Sequence, residues 1–298
     1  MRFLMKRMGV YAVCFSLVLT GCVTNQGGAG TAGAGGPNVG PQLSSIFDKT
    51  GEAVVDPGKP KLDIVVPVFD PGLSENAEDY KEEGVWPELR RAEANRFAVK
   101  LKEALEDTGA FGAVRVVPDQ TATGDLYVLG KILESNGEDV EIQVEVTDIT
   151  GDNWFTRTFD HTVDPGFHKN PRNEGRDPYD PVFAEAANRI ALELEDYEVA
   201  DLETIQHVTE LRFGSNFTEE AFAEHLDATG RTVELVSFPS EADPMLRRTR
   251  AVRVRDQLFV DGLQEHYRTF SANMQDSYLV WQEQSLLELE ARSEANEK

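Results

Sequence analysis

Cysteine is almost absent from this sequence of 298 residues. Its two cysteines, Cys14 and Cys22, both fall within the first 22 positions. The rest of the chain therefore cannot form a disulfide scaffold or a metal site built on cysteine. Hydrophobic residues make up 40% of the sequence and aromatic residues 9%. That is enough apolar side chain for a core, so wholesale disorder is excluded and the length fits two domains or one large one.

Positive charge is also scarce. The chain has 29 lysines and arginines against 53 aspartates and glutamates, a formal net charge of −24. Without the three basic residues of the first seven positions, the balance is 26 against 53, or −27. Such a surface repels phosphate backbones and anionic headgroups. Nucleic-acid binding and docking to membranes through surface charge are thereby excluded.

The familiar motifs of enzymes and metal sites are missing. None of the five histidines pairs with another at the spacing of a zinc site on a helix. The sequence contains no Gly-x-Ser-x-Gly elbow and no glycine-rich phosphate loop before a helix. We therefore predict a protein without enzymatic activity, cofactor or bound metal. The histidines are His161, His168, His207, His225 and His266.

The N-terminus carries the most specific signal. An apolar run of about 11 residues follows Lys6 and Arg7 and is too short to span a bilayer, which needs about 20 residues. Length, charge and position are typical of a secretory signal peptide. The run ends in Leu19-Thr20-Gly21-Cys22, which resembles the lipobox of bacterial lipoproteins.

That resemblance implies a signal peptide over residues 1–21 and a mature chain that starts at Cys22, with diacylglycerol on its thiol and a third acyl chain such as palmitate on its amine. Val23 stands where an aspartate would retain an enterobacterial lipoprotein in the inner membrane. We therefore expect an outer-membrane anchor with the body facing the periplasm. Exposure of the body on the cell surface stays open as an alternative. Residues 22–59 are rich in glycine and alanine in their first half and are predicted to form a flexible tether.

Residues 60–197 predict an α+β module. Alternating apolar residues indicate strands, and the 3.6-residue period with Gly109 and Pro181 at its limits indicates two helices. The predicted order is β-α-β-β-β-β-α, a sandwich in which both helices cover one face of a mostly antiparallel sheet. The elements are expected at residues 62–69, 89–108, 113–117, 125–133, 140–146, 154–163 and 182–196.

Several packing and turn positions of this module carry a resemblance. They are Val66–Phe69, Leu105–Phe111, Val114–Val117, Asp125–Gly130 and Asp148–Trp154. They are similar to the periplasmic module of curli-secretion-type lipoproteins, of penicillin-binding-protein-activator lipoproteins and of the N-terminal domain of the Tol-system β-propeller protein. The resemblance implies the fold more than a function. No counterpart of the curli channel's membrane-spanning hairpins is present, so a pore is not expected.

Residues 198–298 are predicted to form an all-α helical domain. Helices are expected at residues 200–211 and 218–228, and a long final helix is expected from Asp243-Pro244. Seven residues of that last helix alternate spacings of three and four, as in a coiled coil. They could form a partner-binding or homo-oligomerising face, or pack on the other helices of the same domain, and the second interpretation is favoured. They are Val260, Leu263, Tyr267, Phe270, Met274, Ser277 and Trp281.

Two groups of cations stand out against the acidic background. One lies in the loop 164–181 and comprises His168, Lys169, Arg172 and Arg176. The other starts the last helix and comprises Arg247, Arg248, Arg250, Arg253 and Arg255. Long loops are often functional, so the loop could bind an acidic partner or the carboxylates of peptidoglycan, or it could pair with the protein's own acidic residues. The five arginines could bind a partner, but pairing with acidic residues of neighbouring helices is the favoured interpretation.

These observations predict a non-enzymatic, outer-membrane-anchored lipoprotein. We expect it to act as a scaffold or accessory subunit of an envelope assembly, such as cell-wall synthase activation or a secretion or flagellar-type complex. The alternative is a peptidoglycan-binding or cell-wall-processing protein that uses the loop 164–181. A third interpretation takes the acidity as adaptation to saline surroundings, which requires no partner.

Overall fold

The structure, a computed structural model, describes residues 56–74 and 85–296. The predicted signal peptide, the lipobox with Cys22 and most of the tether lie outside the described residues. The described residues belong to one compact unit. Within them, no helix combines the length and apolar character needed to cross a membrane.

A five-stranded mixed sheet forms the centre of the protein, in the order β2-β1-β3-β4-β5. β1 lies between β2 and β3 and is parallel to both, whereas β4 is antiparallel to both of its neighbours, β3 and β5. The sheet is thus mixed where a mostly antiparallel one was expected. The reason is that the helix between β1 and β2 returns the chain to the same direction. The strands are β1 Ile64–Pro67, β2 Val114–Val117, β3 Leu126–Ser135, β4 Asp139–Asp148 and β5 Asn153–Thr162.

Residues 118–125 lead back from β2 to β3 and cross over β1. Val65 of β1 consequently has only 2% of its surface exposed, although its neighbours Ile64 and Val66 occupy the other face of the sheet. A Cβ atom on Gly124 would lie 2.5 Å from Val65 Cγ2. A glycine is therefore required where the crossing chain touches the strand.

Two helices cover the opposite face of the sheet, α1 Pro87–Thr108 and α2 Asp180–Glu193. Proline occupies the first turn of both helices, and α1 ends at Gly109, whose φ is 66°. Phe97 of α1 lies at the centre of the core. Its ring makes edge contacts with Phe69 at 6.3 Å and Phe183 at 5.1 Å between centroids.

The C-terminal part contains two helices, α3 Val199–Ser215 and α4 Pro244–Asn296. The predicted boundary at residue 197 falls between α2 and α3. Leu202 of α3 and Tyr278 and Leu286 of α4 join the same hydrophobic core as the sheet. The whole is a mixed α/β structure with a long C-terminal helix.

The prediction of a helix at residues 218–228 is wrong. That segment has one 3-10 turn, Glu219–Ala221, and then the two-residue strand β6, Leu226–Asp227, which pairs with β7, Glu234–Leu235. Phe222 turns inward beside Gly214 and Leu246, and 2% of its surface is exposed. Asp227 Oδ1 then accepts a hydrogen bond from the Thr229 amide at 2.9 Å, so a turn replaces the expected helix.

Candidate interaction surface

The most prominent feature of the molecule is the length of α4. Its 53 residues extend about 80 Å at 1.5 Å per residue. One side of the helix packs on the body, where Leu246, Tyr278 and Leu286 are buried. The other side faces solvent along the whole helix.

Arg96 of α1 fixes α4 through a buried cluster of polar groups. Its side chain is fully enclosed, and its guanidinium donates to Asp177 Oδ2 and to Gln275 Oε1, both at 2.5 Å. It also donates to the Ser271 carbonyl at 3.3 Å and lies 4.7 Å from the centre of the Tyr278 ring. Three separate segments of the chain therefore share one buried cation.

Glu93 lies one turn before Arg96 and forms a second link to α4. Its Oε1 accepts hydrogen bonds from Tyr278 Oη at 2.8 Å and from Ser135 Oγ at 2.6 Å, and Arg90 Nε lies 3.2 Å from the other oxygen. Burial raises the pKa of Glu93, although these three partners oppose the rise. Burial also raises the pKa of Tyr278, so its hydroxyl keeps the proton that it donates.

Nearer its N-terminus, α4 covers the open edge of the sheet. The side-chain amide of Gln264 accepts a hydrogen bond from the Val116 N–H and donates one to the Val116 carbonyl, both at 2.9 Å. Beside it, Arg115 donates to Asp261 at 2.6 Å. Gln264 thus replaces the strand that β2 lacks on this side, which blocks edge-to-edge pairing.

The solvent side of α4 carries a row of large apolar side chains. Phe259 is 68% exposed, Val280 59%, Phe270 42%, Leu287 40% and Val252 39%, and Leu258 at 65% and Val254 at 55% are also exposed on this helix. Spacings of seven, eleven, ten and seven residues place Val252, Phe259, Phe270, Val280 and Leu287 on one side of the helix. Single exposed apolar residues are ordinary, but several large ones on one side of a helix mark an interaction site. We call these five residues the apolar row.

The predicted coiled-coil seam divides between the two sides of α4. Tyr267, Met274 and Trp281 are partly buried against the core, so the interpretation as packing within the protein is confirmed for them. Phe270 and Ser277 are exposed. Phe270 belongs to the apolar row. The other four members of that row were not predicted from the sequence.

The predicted cationic loop is folded onto the body. Phe167 is buried, Asn170 caps the short 3-10 helix Pro171–Asn173, and the Gly175 carbonyl accepts a hydrogen bond from Gln275 of α4. Lys169 lies 3.6 Å from Glu290 of α4. Arg172 and Arg176 also interact with neighbouring groups, and burial lowers the pKa of His168. Much of the loop's charge therefore serves to hold the protein together.

The five arginines that begin α4 have different surroundings. Arg250 forms a fork with Glu210 at 2.5 and 3.0 Å and also pairs with Glu241. Arg253 Nη2 lies 3.9 Å from the buried Asp125. The other three, Arg247, Arg248 and Arg255, are exposed and have no ion-pair partner among the described residues. The structure therefore separates structural arginines from those available to a partner.

A surface cleft of about 640 Å³ lies where β1 and β2 end. Its acidic groups are engaged locally: Lys131 lies 3.7 Å from Asp70, and Asp119 accepts hydrogen bonds within the turn to Thr121. Across residues 56–74 and 85–296, no group of three or more acidic, histidine or cysteine side chains is arranged to hold a metal. We assign no chemistry to this cleft.

Comparison of the chain with protein families, with curated proteins and with solved structures finds no match. The site must therefore be interpreted from its own geometry. One signal for the buried attachment was present in the sequence: Arg90 and Glu93 stand seven and four residues before Phe97, on the apolar stripe of α1. Charged residues in such positions are almost never buried unless they are paired.

Proposed function

We propose that this protein is a lipid-anchored, non-enzymatic scaffold or accessory subunit of a bacterial envelope assembly. In this proposal Cys22 carries the lipid, residues 23–59 form the tether, and the body works in the periplasm. Residues 60–197 would form the sandwich module of the lipoprotein families that the sequence resembles. The order of strands and helices from β1 to α2 supports that assignment.

The observation that carries the proposal is the apolar row on a helix that is fixed from behind. The contacts of Arg96, Glu93 and Val116 hold α4 at three points between Gln264 and Tyr278. A partner that binds to a pre-ordered helix pays little further conformational entropy. Large exposed apolar side chains on such a support are the arrangement expected of a protein–protein contact.

The alternative, binding of peptidoglycan by the loop 164–181, has less support. Lys169 lies beside Glu290, and the loop is anchored to α4 through Gly175 and the buried Asp177. Lys169, Arg172 and Arg176 are exposed but already interact with neighbouring groups of the protein. We therefore assign the binding function to α4.

A photo-crosslinking amino acid at Phe259 or Val280 of the full chain, expressed in bacteria, tests the assignment. We expect a discrete protein adduct at both positions. The same probe at Val236, which is 64% exposed but lies off α4, is the matched control and should give none. Absence of an adduct from α4, or equal adducts from all three positions, would overturn the proposal.

The anchor is tested separately with Cys22→Ser. The wild-type chain should incorporate labelled palmitate and enter the detergent phase, and the variant should do neither. Cys14→Ser should behave as wild type, because the resemblance places that residue in the removed peptide. Equal labelling of wild type and Cys22→Ser would contradict the lipidation of Cys22.

A further inference from the structure

Charge is distributed unevenly along α4. Residues 244–270 contain six arginines and three acidic residues, a balance of +3. Residues 271–296 contain one arginine and five acidic residues, a balance of −4. Arg248 and Arg255 at the start and Asp276 and Glu288 near the end are exposed, and no ion pair engages them among the described residues. The net charge of α4 thus changes from positive in its first half to negative in its second half.

The apolar row is symmetric about one point. Val252 and Leu287 are equally distant from the midpoint between residues 269 and 270, and so are Phe259 and Val280. Phe270 adjoins that midpoint, and Val254 and Leu258 have no counterpart across it among the exposed large apolar residues. A helix surface with this arrangement matches itself when it is turned around. Two-fold dimers require this self-complementarity, because each residue i that contacts j is repeated as j contacting i.

We propose that the exposed side of α4 binds the same side of a second copy of this chain, with the two helices antiparallel. Val252 then meets Leu287 of the other copy, Phe259 meets Val280, and the two Phe270 side chains lie at the two-fold axis. The inference rests on the proposed function and names the partner at that surface.

The charges support this pairing and oppose the parallel one. In the same register Glu288 of one copy faces position 251 of the other. Arg248 lies three residues before that position and Arg255 four residues after it, so the carboxylate lies between two cations on successive turns. A parallel pair would place Arg248 beside Arg248 and Glu288 beside Glu288. Like charges in contact disfavour that arrangement.

The negative charge of the rest of the surface makes the charge match along α4 important for the choice of contact. Two copies that each carry a net charge of −24 repel one another at most orientations. The start of α4 is a basic region on the chain that can accept the acidic end of the same helix. Complementary charge therefore selects both the surface and the direction of approach.

Single cysteines placed on α4 test the geometry in the full chain, because the wild type has no cysteine after residue 22. The protein is held in detergent with micelles in large excess, so that the lipid anchors do not force copies together, and is then oxidised. We expect Phe270→Cys to form a disulfide-linked dimer with itself. Val252→Cys and Leu287→Cys should each fail alone and should crosslink when differently tagged copies are mixed. The wild type and Val236→Cys are the controls and should not form these dimers.

Exchanging the charges of Glu288 and of Arg248 and Arg255 gives a second test, which again measures the yield of disulfide-linked dimer. In the Phe270→Cys background, Glu288→Arg should lower the yield of crosslinked dimer about tenfold. Arg248→Glu with Arg255→Glu should do the same. The three changes together should recover most of the yield, because the opposite charges again face each other.

The results that contradict the antiparallel pair differ from those that contradict the proposed function. Self-crosslinking of Val252→Cys or Leu287→Cys alone, or failure of the charge exchange to restore the yield, would overturn the antiparallel pair. If photo-crosslinking at Phe259 captures only a different protein and Phe270→Cys stays monomeric, this inference fails and the proposed function stands. If neither method gives an adduct, both fail.

Discussion

The side chains of Arg96 and Asp177 meet at 2.5 Å although the residues are 81 positions apart, and neither is accessible to solvent. Asp177 Oδ1 accepts a further hydrogen bond from Gln282 of α4 at 3.2 Å. One carboxylate thus joins α1, the loop before α2 and the C-terminal helix. The attachment of α4 depends on polar contacts that leave little tolerance for change.

We expect Arg96→Ala to lower the free energy of unfolding by about 3–5 kcal/mol, because it leaves Asp177 buried without its cation. Urea denaturation followed by tryptophan fluorescence measures this loss. Arg91→Ala, at an exposed position of the same helix, should cost under about 0.5 kcal/mol. The double variant Arg96→Ala/Asp177→Ala should lose less than the sum of the single changes, and a strictly additive result would contradict the coupling.

Glu93 makes stability depend on pH. Because burial raises its pKa above the ordinary 4.5, the folded protein holds this proton to a higher pH than the unfolded chain does. Between the two pKa values the native state binds more protons, so the free energy of unfolding falls as pH rises. This contribution is fully present below pH 4.5 and is lost as the pH rises through the raised pKa of Glu93 in the folded state.

Glu93→Gln removes this ionisation and keeps an oxygen that can accept from Tyr278 and Ser135. We expect wild type to lose stability relative to Glu93→Gln as pH rises from about 4 to about 8. Denaturation at each pH measures the difference between the two proteins. Glu88→Gln, exposed on the same helix, is the matched control. A difference that is constant over the whole range would rule out the buried proton.

Local patterns were sufficient to predict most of the elements around the core. Val140, Ile142, Val144 and Val146 alternate on β4 because one face of that strand is buried, and Gly109 ends α1 in the left-handed conformation. The parallel pairing of β1 with β3 could not be predicted in this way. It depends on residues 118–125 crossing the sheet, a segment without periodicity.

The candidate surface was less accessible from the sequence. Which side of α4 faces the body is decided by Arg96, Glu93 and Val116, which lie far away along the chain. Several apolar stripes on such a long helix are therefore equivalent until the partners are placed. The sequence stripe through Tyr267 and Met274 identified the buried side, and the exposed side became evident only by exclusion.

Gln264 gives a local prediction for the edge of the sheet. Gln264→Ala removes both hydrogen bonds to Val116 and should lower the free energy of unfolding by about 1–2 kcal/mol. The Val116 amide should then exchange its hydrogen faster than in the wild type, which hydrogen-exchange measurements detect directly. Gln284→Ala, exposed on the same helix, should change neither quantity. Unaltered protection of Val116 in Gln264→Ala would mean that the side chain does not cover the edge.

Two glycines near α4 should respond in opposite directions to the same substitution. Gly137, in the turn between β3 and β4, has a φ of 99°, and a Cβ there would lie 2.4 Å from Ser285 Cβ. Gly137→Ala combines backbone strain with displacement of α4 and should cost about 1–3 kcal/mol. Gly262 lies within α4, and an added Cβ meets nothing within 4 Å. Gly262→Ala should stabilise the protein by about 0.5–1 kcal/mol through helix propensity. Thermal denaturation of both variants against wild type decides the matter, and a stabilised Gly137→Ala would show that α4 does not pack on this turn.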